Sequence, residues 1–529
     1  MSTAAMPTKS VTVGALPPRS WSAATWALVA ACSVIFTYAL TGALGFIFLA
    51  FGCLEAVAMV SHDNYSVLGF LLLAFVFVVG GTIIWSLVPR KDKLEIQGVP
   101  LDLSKQPRLR AEIETIARTM QEPMPTEVYL VAASNAAVAQ RRDLLGKNKR
   151  RVLIVGLPLL QMLSVSQMRA VLVHEFAHFY GGDTSLGPWV FRARNSMLRV
   201  LINLTQKSGI MSVLTRWAVI AILYLIVIGA LKLYWTLFIR LTQYISRGQE
   251  FRCDELACHL AGSESLAEGL CNVNRASSFP AYFNQIVMPV VARGFHPNLA
   301  DGFQRFVNAP AIQQAVSAAL ATQLAKTTSD PNDSHPPLSA RLQKARALAV
   351  PDLQPNPNAA ITLLDDLPAL ELQLLHLVAP GLQTGTLQSI HWDAAGSEVY
   401  VPLWRSQTAP FQTLFRGKTI AELPATLADL PSIANQLKDP PGILSTREQR
   451  LQRALGVLNA SFTLALIDHD WRLHIQPGEY YLQHNEEKIE PLRTIADLQQ
   501  GKLTRASWEA LCAKLGIGSW PVLSPPSEL

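Results

Sequence analysis

The run His174-Glu175-Phe176-Ala177-His178 is an H-E-x-x-H pentapeptide in a segment whose pattern predicts a helix. Two histidines four positions apart project from one face of a helix, so both imidazoles can bind a single zinc ion. The carboxylate of Glu175, between them, can take a proton from a water molecule that zinc has polarised. The pentapeptide therefore predicts a helical zinc site with the chemistry of a hydrolase.

The sequence around the pentapeptide also favours a helix. Ser164 and Gln167 have the spacing of a capping box, apolar residues follow at helical intervals, and Gly181-Gly182 are expected to end the helix. The motif itself fixes only three residues and is expected by chance about once per hundred chains of this length. A helix with two surface histidines is therefore the alternative, unless other parts of the chain complete a site.

A second group of polar residues can supply the third zinc ligand that the pentapeptide lacks. Glu250 and Asp254 are also four positions apart, within the segment from Ser246 to Asp254. On a second helix Glu250 can be the third zinc ligand, while Asp254 accepts the free N–H of a ligating histidine. Three protein ligands and one open position are the arrangement of catalytic zinc. Further on, His335 and Arg341 are six residues apart and can donate to an oxyanion that forms opposite the metal.

These motifs make the chain resemble the membrane-associated zinc peptidases that include the heat-shock protease HtpX and the CAAX prenyl endopeptidases. The motifs are H-E-x-x-H, S-R-x-x-E-x-x-x-D and H-P-x-x-x-x-R, in that order, and the resemblance covers roughly residues 20 to 345. It implies one zinc ion per chain and a role for each motif residue: His174, His178 and Glu250 as ligands, Glu175 as general base, Asp254 behind a ligand, and His335 with Arg341 at the tetrahedral intermediate.

Two further details concern this resemblance. Asn135-Ala136 is similar to the family's N-A-F segment beside a substrate-binding edge strand, although Ala137 replaces the aromatic residue. The resemblance therefore implies that Asn135 and Ala136 bind substrate. Cys253 stands where the family usually has alanine, and a small residue there is expected to leave the ligands undisturbed.

The composition is typical of a membrane protein. Of 529 residues, 50% are hydrophobic and 16% are charged, compared with about 25% charged in an average soluble protein. The net charge of +6 is modest, and no basic run is interleaved with aromatic residues, so we expect no nucleic-acid binding. The six cysteines form no C-x-x-C pair, which argues against a disulfide framework or a structural zinc site.

Two apolar stretches, at about 26–49 and 67–88, are each long enough to cross a bilayer. A cleaved signal peptide is the alternative for the first, but its apolar stretch is too long. Lys9 and Arg19 precede the pair and Arg90, Lys91 and Lys93 follow it, while the short connection between the two stretches has neither Lys nor Arg. By the positive-inside rule both ends of this hairpin, and the catalytic segment after it, are cytoplasmic.

A third apolar stretch, 217–239, lies between the histidines and Glu250. Because all three ligands must lie on one side of the membrane, the chain between them crosses it an even number of times or not at all. We favour a helical hairpin over residues 196–239 that turns near Ser208-Gly209, and the alternative is a helix packed at the bilayer edge.

Short strands rich in Val, Ile, Leu and Tyr are predicted at 127–132 and 151–155, joined by the basic stretch 141–151. Their sheet could hold an extended peptide along a free edge. The basic stretch is either a solvated loop, which we prefer, or a contact to anionic lipid.

The sequence contains no further apolar stretch long enough to cross a membrane after a Pro-rich link at 350–357. Beyond it we predict a soluble α+β extension with strands at 398–404 and 462–467, helices at 446–458 and 506–515, and no catalytic group. The aromatic residues of this region could bind a peptide but more simply form a core. We therefore divide the chain into a tail with a transmembrane hairpin (1–93), a zinc peptidase domain with an inserted hairpin (94–349), and an extension of unknown role (350–529).

The sequence thus predicts a mainly α, multipass membrane protein with a helical zincin-type domain, a small β-sheet and a C-terminal α+β extension. Its predicted activity is that of a zinc endopeptidase in the bacterial inner membrane, acting on protein or peptide substrates, and quality control of membrane proteins is what the resemblance suggests. The alternatives are a catalytically silent membrane scaffold and a prenyl-protein protease, the latter fitting poorly with at most four spans. The oligomeric state stays open.

Overall fold

The computed structural model describes residues 21–63, 65–88, 96–142, 149–180, 183–206, 216–328, 330, 333, 335–352, 354–379, 387–436 and 445–523. The chain folds as two compact units, the first within residues 1–276 and 318–366 and the second within 277–317 and 367–529. The sequence places a domain boundary at 349, whereas the units divide after 366, and the helices of 277–317 belong to the second unit. The functional division of the chain stays a prediction.

The first unit holds the helices that surround the predicted site. They are α1 (Trp21–Ser61), α2 (Val67–Leu87), α3 (Pro107–Thr119), α4 (Leu157–Met162), α5 (Val165–Tyr180), α6 (Asp183–Thr205), α7 (Ala218–Ala261), α8 (Ser263–Ala276) and α9 (Leu338–Leu348). A short 3-10 helix, Ala360–Leu363, follows. Among the described residues, α1, α2 and α7 are long and apolar enough to cross a membrane. The two N-terminal apolar stretches predicted from the sequence are therefore confirmed as helices of that kind.

Helices α6 and α7 run antiparallel to each other. Near the start of α7, Tyr224 Oη donates to the carbonyl of Leu204 over 2.9 Å. Further along α7, Phe238 and Ile239 pack with Ala193, which is eleven residues before Leu204 in α6. This geometry agrees with the predicted hairpin, whose turn at 208–209 lies outside the described residues, as do the glycines at 181–182. Whether the hairpin crosses a bilayer stays a prediction.

Arg199, one of the charged residues of α6, has polar partners within this bundle. Arg199 donates through Nε to the carbonyl of Ser86 on α2, over 3.4 Å, and through Nη2 to the hydroxyl of Ser196, over 2.9 Å. Asn203 Nδ2 donates to Ser86 Oγ over 3.0 Å. Polar groups packed between apolar helices are tolerated when they find such partners. Arg199 is therefore compatible with its place in the bundle, although α6 is one of the two helices of the predicted hairpin.

A four-stranded sheet precedes the helix of the pentapeptide. Its strands are β1 (Val99–Pro100), β2 (Glu127–Val131), β3 (Ala136–Arg142) and β4 (Lys149–Gly156). They lie in the order β1-β2-β4-β3, with β2 and β4 parallel and β3 antiparallel to β4, so β3 is an edge strand. The predicted strands at 127–132 and 151–155 are confirmed as β2 and β4. The basic stretch differs from a simple loop, because its two ends belong to β3 and β4.

The second unit combines short helices with two small sheets, as an α+β region should. Its strands are Phe295–Pro297 paired with Gln388–Ile390, and the meander Arg472–Gln476, Glu479–His484 and Glu487–Ile489. Its α-helices are Phe279–Tyr282, Met288–Val291, Leu299–Asn308, Pro310–Ala325 (which ends in the first unit), Leu367–Val378, Trp392–Ala395, Val401–Thr408, Gln412–Phe415, Leu423–Ala428, Leu430–Gln436, Arg447–Ile467, Pro491–Gln499 and Arg505–Leu515. The π-helices Phe283–Val287 and Gly396–Tyr400 and the 3-10 helices Ala409–Phe411 and Ile420–Glu422 complete it.

Two strand predictions in this unit are wrong. Residues 398–404 lie in the π-helix and α-helix that follow Gly396, and residues 462–467 are the end of the helix Arg447–Ile467. That helix is buried continuously from Val457 to Leu466. The run 462–467 is apolar except for Thr463, and periodicity cannot distinguish such a run in a fully buried helix from a buried strand. The predicted helices at 446–458 and 506–515 are confirmed, and Trp508 is part of the core.

Candidate metal centre

Helix α5 begins where the capping box predicts. The backbone N–H of Ser164 donates to Gln167 Oε1 over 3.1 Å, and the N–H of Gln167 donates to Ser164 Oγ over 3.2 Å. These reciprocal bonds satisfy two of the N–H groups that a helix leaves free at its start. The register of α5 is thereby fixed, and it directs His174 and His178 towards α7.

Three side chains from α5 and α7 meet in one cluster. Ligand atoms of His174, His178 and Glu250 all lie within 4.8 Å of one another. His174 Nε2 is 3.5 Å from Glu250 Oε2, and His178 Nε2 is 3.6 Å from Glu250 Oε1. Zinc bonds of about 2.0–2.2 Å at tetrahedral angles place neighbouring donor atoms about 3.4 Å apart. The spacing of these donors therefore suits a zinc ion.

The hydrogen bonding of Glu250 supports the same conclusion. Its Oε2 atom is buried and makes no hydrogen bond to any described group, although Arg341 Nη1 lies 3.3 Å away. The neighbouring guanidinium supplies positive charge but no hydrogen bond, so this carboxylate oxygen keeps its lone pairs free for a metal ion. Two imidazoles and one carboxylate are also a ligand set that zinc uses in catalytic sites. These residues therefore fit the metal that the sequence predicts.

Asp254, one turn after Glu250, lies behind His174. Its Oδ1 atom is 3.0 Å from His174 Nδ1, the ring nitrogen that faces away from Glu250. The same carboxylate accepts from Arg341 through both oxygens, from Nε over 2.8 Å and from Nη2 over 2.6 Å. Arg341 of α9 is buried, with 7% of its surface exposed. Asp254 thus lies beside a predicted metal ligand, and Arg341 holds its carboxylate in that position.

Cys253 contacts the other histidine. Its Sγ atom is 3.4 Å from His178 Nδ1, and the side chain is buried. From the sequence we expect this cysteine to be a small residue that leaves the ligands undisturbed. The contact depends on the packing of α5 against α7, which no spacing within the sequence could predict.

Charge in the cluster alters the pKa values of the two histidines in opposite directions. Burial lowers the pKa of His174, but Asp254 and Glu250 outweigh that effect and raise it to about 9. Burial and the neighbouring His174 lower the pKa of His178 to about 4. Without a metal at neutral pH, His174 is therefore the cation of the cluster and His178 is neutral.

Glu175 lies between the cluster and the edge strand β3. Burial raises the pKa of its carboxyl group to about 7, with the charge of His174 opposing and that of Glu250 adding to the effect. The backbone N–H of Val138 donates to this carboxylate. Because β3 pairs with β4 on its other side, the unpaired edge of β3 faces Glu175. A carboxyl group with a pKa near 7 is suited to taking and returning a proton.

The other predicted site residues lie either at the free edge of β3 or on the exposed side of the cluster. Ala136 is two residues before Val138, so its backbone groups point to the same free edge of β3. Asn135 directly precedes the strand and is exposed. His335 is exposed, with Nε2 3.9 Å from Glu250 Oε1 and Nδ1 3.3 Å from Asp333 Oδ1. Sequence reasoning missed Val138, although the alternation of the strand after Ala136 could have indicated it.

Comparison with known proteins adds a family likeness to this geometry. The model of peptidase family M48 matches residues 103–349. Protease HtpX of Xylella fastidiosa (strain M12) is 24% identical over 262 residues, which are 47% of this chain and 86% of that protein. Protease HtpX of Erwinia tasmaniensis is 25% identical over 285 residues, covering 51% and 93%. Among solved structures, Ste24p of S. mikatae aligns with 62% of this chain and 67% of its own at 14% identity, with a TM-score of 0.28.

Proposed function

We propose that this protein is a membrane-bound zinc endopeptidase of peptidase family M48, whose model matches residues 103–349. The observation that carries the proposal is the cluster of His174, His178 and Glu250, with Glu175 beside it. When bound, zinc supplies Lewis-acid polarisation of a carbonyl group and of a water molecule. The same three residues would hold it.

The proposed acid–base group is Glu175. Its carboxylate takes a proton from the attacking water and later delivers it to the leaving amine. The N–H of Val138 holds the carboxylate in place on one side, and the pKa of about 7 allows both transfers near neutral pH. A scaffold without catalysis would have no chemical need for a half-buried carboxyl group at this position.

Substrate is proposed to lie along the free edge of β3. An extended peptide can form main-chain hydrogen bonds to such an edge, which accepts many sequences. Asn135, Ala136 and Val138 line it, and the scissile bond would then pass beside Glu175. His335, at the exposed side of the cluster, is placed to donate to the developing oxyanion.

Arg341 is proposed to act chiefly through other residues. Its Nε and Nη2 atoms are bonded to Asp254, and its Nη1 atom faces Glu250. Because its donors are directed to two carboxylates, it positions both of them. A contact of Arg341 with the oxyanion, which the resemblance implies, would require some of these bonds to break.

The membrane setting follows from the apolar helices and the charge pattern of the sequence. We propose that the catalytic unit faces the cytoplasm at the bacterial inner membrane, although the positive residues 90–93 lie outside the described residues. Quality control or processing of membrane proteins is the proposed biological role, and the lipid bilayer is a proposed partner. The second unit is proposed to dock substrates or partners.

Zinc content and casein cleavage of the detergent-purified protein test the proposal. We expect about one zinc ion per wild-type chain. The variant Glu175→Gln should keep zinc but lose casein cleavage, and Glu250→Ala should lose zinc. Glu255→Ala is the matched control, because Glu255 is exposed on the same helix and should leave both properties unchanged. Wild-type protein without zinc, or Glu250→Ala with wild-type zinc affinity, would overturn the assignment and favour the scaffold alternative.

A further inference from the structure

Helix α7 contacts the outer nitrogen of each histidine in the cluster with consecutive residues. His174 Nδ1 lies 3.0 Å from Asp254, and His178 Nδ1 lies 3.4 Å from Cys253 Sγ. The Nε2 atoms of both rings point to Glu250. The two histidines therefore have the same arrangement, with one ring nitrogen towards the metal cluster and the other towards α7.

The chemistry of a ligating imidazole gives the thiol a role. A neutral ring that binds metal through Nε2 carries its proton on Nδ1, and that N–H needs an acceptor to fix the ring's orientation. Asp254 can accept from His174. For His178, the sulfur of Cys253 is the atom in the corresponding place, and sulfur is a weak acceptor.

The position of the thiol is fixed by its surroundings. Cys253 is 2% exposed and lies one helical turn after Glu250, so it moves with the third proposed ligand. An alanine at this position would have no atom that could pair with the ring. Glu250 and Asp254, on the same helix, share Arg341, so the side chains around Cys253 are themselves held in place.

We propose that Cys253 is a positioning residue that holds His178 in its metal-binding orientation by pairing with Nδ1. This inference rests on the proposed zinc site. It assigns to one helix, α7, a metal ligand and the outer partners of both histidine ligands. The thiol itself does not touch the metal or the substrate.

The test is zinc affinity, measured by chelator competition on the full-length protein in detergent. Outer partners of ligating histidines are worth about 10- to 100-fold in affinity. Because a thiol is a weak partner, we expect Cys253→Ala to bind zinc about tenfold more weakly. The zinc affinity of Cys253→Ser, whose hydroxyl can still pair with the ring, should lie between those of wild type and Cys253→Ala. The visible spectrum of the Co²⁺-loaded protein should shift in Cys253→Ala, because the orientation of one ligand changes.

Cys258→Ala is the matched control. Cys258 is also buried on α7, but its thiol lies 3.9 Å from the carbonyl of Ala345 and away from the cluster. We expect wild-type zinc affinity for this variant. Wild-type affinity of Cys253→Ala, or a serine variant weaker than the alanine variant, would overturn the proposal while Glu250→Ala still loses zinc. If wild type and Glu250→Ala bind equally little zinc, the proposed function itself fails, and this inference fails with it.

Discussion

Replacement of Arg341 by methionine is expected to be the most destabilising single change near the cluster. The guanidinium is buried and makes two hydrogen bonds, of 2.8 and 2.6 Å, to Asp254, while its third nitrogen lies 3.3 Å from Glu250. Methionine fills much of the same volume but leaves protonated His174 as the remaining cation beside two buried carboxylates, so one negative charge is no longer balanced. Breaking a buried ion pair from one side costs about 3–5 kcal/mol, since the remaining charge is uncompensated.

The same helix provides the control. Arg346 of α9 forms a similar two-bond pair with Glu264, but both side chains are more than half exposed, at 54% and 59%. Such a surface pair contributes less than about 1 kcal/mol. The free energy of unfolding of metal-free protein, measured by urea denaturation in a mild detergent, should therefore fall several times more for Arg341→Met than for Arg346→Met.

Two outcomes of this comparison are informative. Equal losses for the two variants would refute the reasoning, because burial would then have no effect on the cost. If Arg341→Met keeps wild-type stability and zinc affinity but loses turnover, the oxyanion role that the sequence resemblance implies is the better account of Arg341.

Two more predictions follow from the described geometry. The pKa of His174 is about 9 and that of His178 about 4 in the metal-free protein. Zinc binding at about pH 8 should therefore release at least one proton, the one on His174, and affinity should fall as the pH decreases. Calorimetry in buffers of different ionisation enthalpy counts the released protons, and a count of zero would contradict the prediction. Gly80→Leu should loosen the packing of α1 against α2 and lower the free energy of unfolding by about 1–3 kcal/mol or more. The reason is that a Cβ at Gly80 would lie 3.0 Å from the carbonyl oxygen of Gly45, whereas a Cβ at Gly81 would meet no atom within 4 Å. Gly81→Leu is therefore the control in a thermal-unfolding comparison, and equal midpoints for the two variants would count against close packing of these helices.

Much of the candidate site could be predicted because its residues are paired within single helices. His174 with His178 and Glu250 with Asp254 each have the four-residue interval that places two side chains on one face. The capping box of Ser164 depends on an interval of three and was equally accessible. Helical periodicity thus defines the two halves of the cluster, and the chemistry of the side chains indicates that they meet.

The contacts that sequence could not supply come from packing between elements. The thiol of Cys253 reaches His178 only because α7 lies against α5, and the carboxylates face Arg341 only because α9 packs on α7. The second unit shows the same limit, since the run 462–467 became the end of a buried helix. Its neighbours on all sides, rather than its own pattern, determine that structure.

Helix α7 is at once an apolar helix long enough to cross a membrane and the carrier of Glu250, in 44 uninterrupted residues. At 1.5 Å per residue, Glu250 lies about 16 Å beyond Ile239, where the apolar stretch ends. A change in tilt of about 10° around that point would displace the carboxylate by about 3 Å, which is comparable with the spacing of the metal donors. If α7 crosses the bilayer, it would adjust its tilt in a bilayer of different thickness, and the displacement would reach Glu250, the proposed metal ligand. The thickness of the membrane, or of the detergent micelle that replaces it, would then be a variable of the proposed metal chemistry.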